Sequence, residues 1–382
     1  MARHTPIRLM VVLGTRPEAI KLAPVILAGR RAGGWFETYV VATGQHRQML
    51  DQVLGLFDIR VDVDLGIMSH DQSLCHVTTA ALTGLCRAID QIRPDCLMVQ
   101  GDTTTAFAGA LAGFYARVPV AHVEAGLRTY DKHQPFPEEI NRRLISHIAD
   151  FHFAPTPAAR ENLLAEGLSP ERIWVTGNTG IDTLLLVLER YRPRDEARRT
   201  GERVVLLTAH RRENQGAPLR RICRAALSLL DLFPDLRVVY PVHLNPRVRS
   251  TVFELLGGHP RVQLTEPMDY REFVLAMDRA DLVLTDSGGV QEEAPSLRKP
   301  VLVLRETTER PEAIHAGTAR LVGTDEQRIV TEAAELLRDP ERYRQATLAV
   351  NPYGDGKATG RILDALTTLC RRPEAAPVLD AA

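Results

Sequence analysis

Short apolar runs alternate with stretches of helical periodicity along the whole chain. This is the pattern of βαβ units folded into parallel sheets, whose strands are covered on both faces and so read as continuous hydrophobic runs. In the first half, strands are predicted at 7–13, 36–42, 96–100, 118–123, 151–154 and 172–176, and helices at 17–32, 44–57, 72–91, 103–116, 138–149 and 157–166. A stretch rich in charge and punctuated by proline and glycine, Tyr191 to Gly201, then reads as a linker. The alternation restarts with strands predicted at 203–208, 236–241, 261–265, 281–285 and 300–304, with helices between them. After the turn Asn351-Pro352-Tyr353-Gly354-Asp355-Gly356, a last helix at about 357–371 has no strand to follow it, so it is free to cross back onto the first domain, and the tail from Arg372 is expected to fray.

The expected fold is therefore α/β, with two Rossmann-like, doubly wound parallel-sheet domains at 1–190 and 202–355 and a returning helix at 356–372. The length agrees, because 382 residues exceed the size at which one core usually stops growing. Lys and Arg number 47 against 48 Asp and Glu, so composition gives no reason to expect nucleic acid or an anionic membrane as a partner. The five cysteines (Cys75, Cys86, Cys96, Cys223, Cys370) contain no C-x-x-C pair, so neither a zinc site nor a redox couple is expected, and a reducing cytoplasm is the natural setting. The apolar segment after Met-Ala-Arg-His-Thr-Pro runs straight into Thr15-Arg16-Pro17-Glu18 and reads as strand one, not a signal peptide. No apolar run reaches the ~18 residues of a membrane span.

Polar clusters follow the strands at their C-terminal ends, the edge where open α/β sheets bind ligands. Gly14-Thr15-Arg16-Pro17-Glu18, with Lys21, places two cations in the first turns of a helix, either as a phosphate or uracil contact or as a solvated helix start. Thr43-Gly44-Gln45-His46 repeats the arrangement after the second strand. Asp102, Glu124 and Glu138 are acids at the rim and candidates for proton transfer, although Asp102 can equally cap the helix beginning at Thr103 and Glu138 can complement its helix dipole. His210 ends a strand beside Arg211, with His243 at the end of another, and can bind phosphate or exchange a proton. Asp286-Ser287-Gly288-Gly289 opens a helix that can receive a diphosphate, and Glu292 and Glu293 follow as candidates for ribose hydroxyls. No G-x-G-x-x-G follows the first strand, so bound NAD is not expected, and no spacing such as H-E-x-x-H predicts a metal. Tyr353-Gly354-Asp355-Gly356-Lys357 is read as a turn, neither a redox dyad nor a Walker A loop.

Together these segments resemble the non-hydrolysing UDP-N-acetylglucosamine 2-epimerases, over a span from Arg8 to about Leu369. The resemblance is carried by Gly14-Thr15-Arg16-Pro17-Glu18-Ala19-Ile20-Lys21, His122-Val123-Glu124-Ala125-Gly126-Leu127-Arg128-Thr129, Asp286-Ser287-Gly288-Gly289-Val290-Gln291-Glu292-Glu293 and Thr307-Thr308-Glu309-Arg310-Pro311-Glu312. It implies the glycosyltransferase-B architecture with a central cleft, a homodimer, and no added cofactor. It places the catalytic set on Asp102, Glu124, Glu138 and His210, and UDP binding on Arg16, Lys21, Phe273, Ser287, Gly288, Gly289, Glu293 and Arg310. It also implies activation by a second substrate molecule through Gln45, Gln48, Arg211 and His243. Two positions depart from the family pattern: Met268 stands where glutamine is common, and Asp71 where some members carry an allosteric arginine. The implied reaction is reversible epimerisation at C2 by elimination and re-addition of UDP. A hydrolysing relative, a glycosyltransferase of the same architecture and a nucleotide-sugar sensor are the competing readings.

Overall fold

The structure is a computed structural model that describes residues 5–44, 47–68, 72–193 and 201–370. The first sheet contains β1 (Ile7–Leu13), β2 (Phe36–Ala42), β3 (Val63–Asp64), β4 (Cys96–Gln100), β5 (Val120–Val123), β6 (Phe151–Ala154) and β7 (Ile173–Val175). Its order is β3-β2-β1-β4-β5-β6-β7. The second contains β8 (Arg203–Thr208), β9 (Leu236–Pro241), β10 (Val262–Thr265), β11 (Leu282–Thr285), β12 (Val301–Val303) and β13 (Ala319–Leu321), in the order β10-β9-β8-β11-β12-β13. Every pairing within the two sheets is parallel. Both sheets reverse direction beside their first strand, β1 and β8, as doubly wound folds do.

The helices of the first series are α1 (Arg16–Arg31), α2 (Arg47–Leu56), α3 (Leu74–Ile92), α4 (Thr104–Tyr115), α5 (Glu138–Ile148), α6 (Pro157–Ala165) and α7 (Thr179–Tyr191). The second series runs α8 (Ala217–Leu232), α9 (Pro246–Leu256), α10 (Tyr270–Arg279), α11 (Gly288–Glu293), α12 (Pro311–His315), α13 (Glu326–Arg338), α14 (Pro340–Leu348) and α15 (Ala358–Leu369). All the strands that the hydrophobic pattern predicts are present. The structure adds β3 and β13, which lie at sheet edges and are too short and too exposed to leave an apolar run. Of the predicted linker, Tyr191 closes α7, while 194–200 lie outside the described residues.

The chain divides into two compact units, one made of Met1–Thr183 with Gly356–Ala382 and the other of Leu184–Asp355. The first has a core in which Met10, Val12, Val41, Leu85, Leu97, Val99 and Ile145 are buried between sheet and helices. In the second, Val205, Leu207, Leu229, Tyr240, Leu284, Leu302 and Ile329 do the same. Each such side chain contributes roughly 1.5–3 kcal/mol of burial. Residues 351–357 form the expected turn, and the helix that follows, α15, packs against α1. Its N-terminal N–H groups on Ala358 and Thr359 donate to the Asp182 carboxylate at 3.2 and 2.8 Å, and Arg361 donates to the carbonyl of Thr176 at 2.9 Å.

Because the first turn of α15 has this carboxylate as its cap, Asp182→Ala should destabilise the protein by about 1–2 kcal/mol. It should also speed hydrogen exchange at the Ala358 and Thr359 amides. Unchanged exchange at those two amides would show that the cap contributes nothing.

Candidate active site

In the first unit, β1, β4 and β5 are neighbours, and all parallel strands end on the same edge of the sheet. The loops that leave them therefore converge. Glu18, in the first turn of α1, is buried and links two of these loops: its carboxylate accepts from the N–H of Gly14 at 2.9 Å and of Thr15 at 2.6 Å, and from the Thr103 hydroxyl at 2.6 Å. Burial raises its pKa, and these hydrogen bonds offset part of that rise.

Glu124 follows β5 with φ +66°, a left-handed conformation that costs a non-glycine residue about 1 kcal/mol or more. Its carboxylate is held from three directions. Lys21 of α1 forms an ion pair with it, the Gln100 side-chain amide donates to its other oxygen, and Asn178 donates at 3.1 Å. Two residues on, Gly126 has φ +92°, and a Cβ there would stand 2.2 Å from the carbonyl oxygen of Ala159, so this bend after β5 accepts only glycine.

Asp102 follows β4 and is gripped by consecutive residues of α5. Asn141 donates to its backbone carbonyl at 2.9 Å, and Arg142 donates to its carboxylate at 2.5 Å. The cap of α4 is Thr103, whose hydroxyl accepts from Ala106 N–H, so the Asp102 carboxylate is not spent on capping. Desolvation raises the Asp102 pKa, Arg142 opposes the rise, and the charges of Glu124 and Glu138 add to it. Two of the candidate acids of this unit thus act on the third. Glu138 is the first residue of α5, beside the buried Glu139, whose carboxylate accepts from the N–H groups of Thr129 and Tyr130 at 3.0 and 3.1 Å.

Beneath this rim two histidines face each other across β5 and β6. His122 and His152 are register partners and wholly buried. His122 Nε2 lies 2.7 Å from the Gly101 carbonyl, while its Nδ1 and both ring nitrogens of His152 have no hydrogen-bond partner among the described residues. Desolvation pushes His122 down to about 4 and His152 to about 3, so both are neutral at physiological pH.

In the second unit, the buried Asp286 follows β11. One of its oxygens accepts from the backbone N–H of His210 at 2.8 Å, from that of Arg211 at 2.9 Å and from the Asn214 side chain at 3.0 Å. Its other oxygen is 3.4 Å from His210 Nδ1. The His210 ring stacks on His243 with centroids 5.5 Å apart and planes 7° from parallel. Desolvation lowers the His210 pKa, Asp286 opposes this, and His243 and Arg211 reinforce it.

Around the start of α11, a Cβ on Gly288 would stand 3.7 Å from an Arg310 nitrogen and 3.8 Å from an Arg211 nitrogen. Two guanidinium groups therefore face a backbone left bare by glycine, an arrangement suited to an anion with oxygens on several sides. Arg310 forms an ion pair with the buried Glu292, and Tyr270 of α10 donates to Glu293 at 3.1 Å. Glu292 is thereby committed to Arg310, which leaves Glu293 as the more accessible of the two acids proposed for ribose.

Each unit gathers its own share of the residues singled out by sequence. Arg16, Lys21, Asp102, Glu124 and Glu138 belong to the first, and His210, Arg211, His243, Phe273, Ser287, Gly288, Gly289, Glu293 and Arg310 to the second. Lys21, assigned with the UDP contacts, is paired with Glu124. Ser287 is the N-cap of α11 without a side-chain capping bond, and Phe273 lies on α10 one turn beyond Tyr270. Gln45 and Asp71 lie outside the described residues, as does the side chain of Gln48 on α2. Sequence reasoning missed the supporting residues Glu18, Gln100, Arg142, Asn178, Asn214 and Asp286 as members of the site. Glu18 and Asp286 stand inside quoted motifs, and an acid within a few residues of a strand end and of a glycine was the available signal.

A family model described as UDP-N-acetylglucosamine 2-epimerase matches residues 11–367. The UDP-N-acetylglucosamine 2-epimerase of Escherichia coli K12 is 50% identical over 369 residues, which cover 94% of this chain and 98% of that one. The enzyme of the same name from Bacillus subtilis 168 is 50% identical over 361 residues, covering 94% and 95%. Among solved structures, the UDP-GlcNAc 2-epimerase of Neisseria meningitidis bound to UDP-GlcNAc matches with a TM-score of 0.86 at 46% identity, over 95% of this chain and 100% of that chain. The two parallel-sheet α/β units are those of the glycosyltransferase-B-like fold that the sequence predicts.

The buried histidines set a pH dependence whose sign follows from their lowered pKa values. Between pH 6.5, where unfolded histidines titrate, and the folded values of about 4 and 3, the unfolded chain binds more protons, so stability falls as the pH falls through that window. Each histidine contributes a slope of up to about 1.4 kcal/mol per pH unit. Denaturant titrations between about pH 6.5 and 4.5 should therefore show a steeper loss for the parent than for His152→Leu. Equal slopes would mean that His152 is already protonated in the folded state.

Proposed function

The chain belongs to the UDP-N-acetylglucosamine 2-epimerase family, and from that premise we propose that it interconverts UDP-N-acetylglucosamine and UDP-N-acetylmannosamine without hydrolysing either. The observation that supports this most is the carboxylate rim of the first unit. There Asp102 is paired with Arg142, Glu124 is held by Lys21, Gln100 and Asn178, and Glu138 lies close enough for its charge to act on Asp102.

The chemistry explains why several acids are useful. The C2 hydrogen of the sugar has no neighbouring carbonyl and is barely acidic. When the C1–O bond breaks, UDP leaves with the electron pair and C1 gains cationic character. A carboxylate then takes the C2 proton, the C1–C2 double bond forms, and 2-acetamidoglucal and UDP result. Re-addition of UDP oxygen to C1, with a proton delivered to the opposite face of C2, gives the manno epimer. The carboxylates supply the two proton-transfer groups. The negative charge that develops on the leaving diphosphate is met by Arg16, by His210 and by the backbone start of α11 with Arg211 and Arg310 beside it. No hydride changes hands, so the reaction calls for no nicotinamide.

The same reading assigns Arg211 and His243, which adjoin His210, to activation by a second substrate molecule, together with Gln45 and Gln48. It also assigns the chain to a homodimer in the cytoplasm. A hydrolysing 2-epimerase would use the same acids but let water capture C1, and would differ by releasing free UDP in step with turnover.

Incubation with UDP-N-acetylglucosamine in D2O, with no NAD added, should place deuterium at C2 in both epimers as they interconvert. Epimer formed without deuterium at C2 would reject the elimination route. Replacing Asp102 by Asn or Glu138 by Gln should lower kcat by about 10²–10⁴-fold, measured by NMR integration of the two anomeric signals.

A further inference from the structure

We propose that Arg142 is the positioning residue for Asp102, aiming its carboxylate and keeping it ionised for proton transfer at C2. This deepens the 2-epimerase reading and rests on it. The Arg142 side chain is 11% exposed, and its two terminal nitrogens point to two acids, Asp102 at 2.5 Å and Glu139 at 3.5 Å. Glu139 cannot swing, because both its oxygens are occupied by the Thr129 and Tyr130 N–H groups. It thereby anchors the guanidinium from behind. Asn141, the preceding residue, holds the Asp102 carbonyl at 2.9 Å. One turn of α5 therefore fixes both the backbone and the carboxylate of Asp102, and the same helix begins with Glu138. Two of the three candidate acids are set by a single rigid element, as a site needing accurate geometry requires.

The charges facing Asp102 define what Arg142 does beyond aiming. Glu138 and Arg142 reach it from α5, Glu124 from the loop after β5, and Lys21 from α1. Lys21 is engaged with Glu124, and among the described residues Arg142 is the cation in direct contact with Asp102. Without it, Asp102 would lie beside two carboxylates whose fields favour its protonated form. The sign is fixed: loss of the cation raises the pH at which Asp102 takes up a proton.

The test compares R142Q and R142K with the parent by the pH dependence of epimerisation and of deuterium entry at C2, with thermal melts to verify folding. For R142Q the expected result is a kcat lower by about 10–100-fold, a KM within about 2-fold, and an acidic limb of the kcat profile moved up by about one pH unit. R142K keeps a cation and should hold its limb close to that of the parent, with a smaller loss of kcat. An unmoved limb in R142Q, an equal shift in both variants, or a raised KM with kcat retained would each overturn the proposal. Should R142Q fail to fold, the R142K profile decides, because a limb displaced by a full unit despite the retained charge contradicts it. If the parent itself forms no manno epimer from UDP-N-acetylglucosamine, the 2-epimerase reading has failed, which is a separate outcome.

Discussion

A carboxylate removed from water must be met by donors, since an isolated buried charge costs several kcal/mol or gives way to protonation. This protein places such groups where its loops need holding. Glu18 ties the loop after β1 to the loop after β4, Glu124 gathers α1, the end of β4 and the loop after β7, and Asp286 joins the loop after β11 to that after β8. These loops have little apolar surface of their own. Their shape depends on polar knots that join segments far apart in sequence.

The arrangement also sorts charge by depth. At the rim, acids are left near one another and balanced by single cations, a condition in which small changes in surroundings shift proton affinity. One layer down, His122 and His152 are kept neutral by desolvation and add no charge to the sheet interior. His122 still takes part in shaping the rim, through its contact with the Gly101 carbonyl that precedes Asp102. In the second unit, arginines and histidines gather around the buried acids Asp286 and Glu292.

Much of this was legible in the hydrophobic pattern, because parallel strands covered on both faces leave uninterrupted apolar runs. β1 from Leu9 onward, β4 and β8 are the clearest cases. β3 and β13 leave no such run, since an edge strand of two or three residues needs only one neighbour and little burial. The acids at strand ends were legible from position, and the family resemblance placed them in one reaction. Their partners were not, because Arg142 is 40 residues from Asp102, and Lys21 is 103 from Glu124. An arginine inside a helical pattern has the appearance of a solvated surface group, and only the tertiary structure turns it toward an acid. The alternative role of Asp102 as a helix cap was likewise settled by local geometry, since Thr103 is one residue closer to the helix and takes the bond.

Residues Leu184–Asp355 interrupt the first unit, which is completed only by the segment from Gly356 onward. Asp182 lies just before the interruption, and the amides it caps, on Ala358 and Thr359, lie just after it. On a ribosome the first sheet therefore emerges early, yet α1 waits for its covering helix until the intervening Leu184–Asp355 has been made. The second unit can mature in that interval, while the first stays incomplete along one helix face, a period in which its apolar surface is available to chaperones or to other nascent chains.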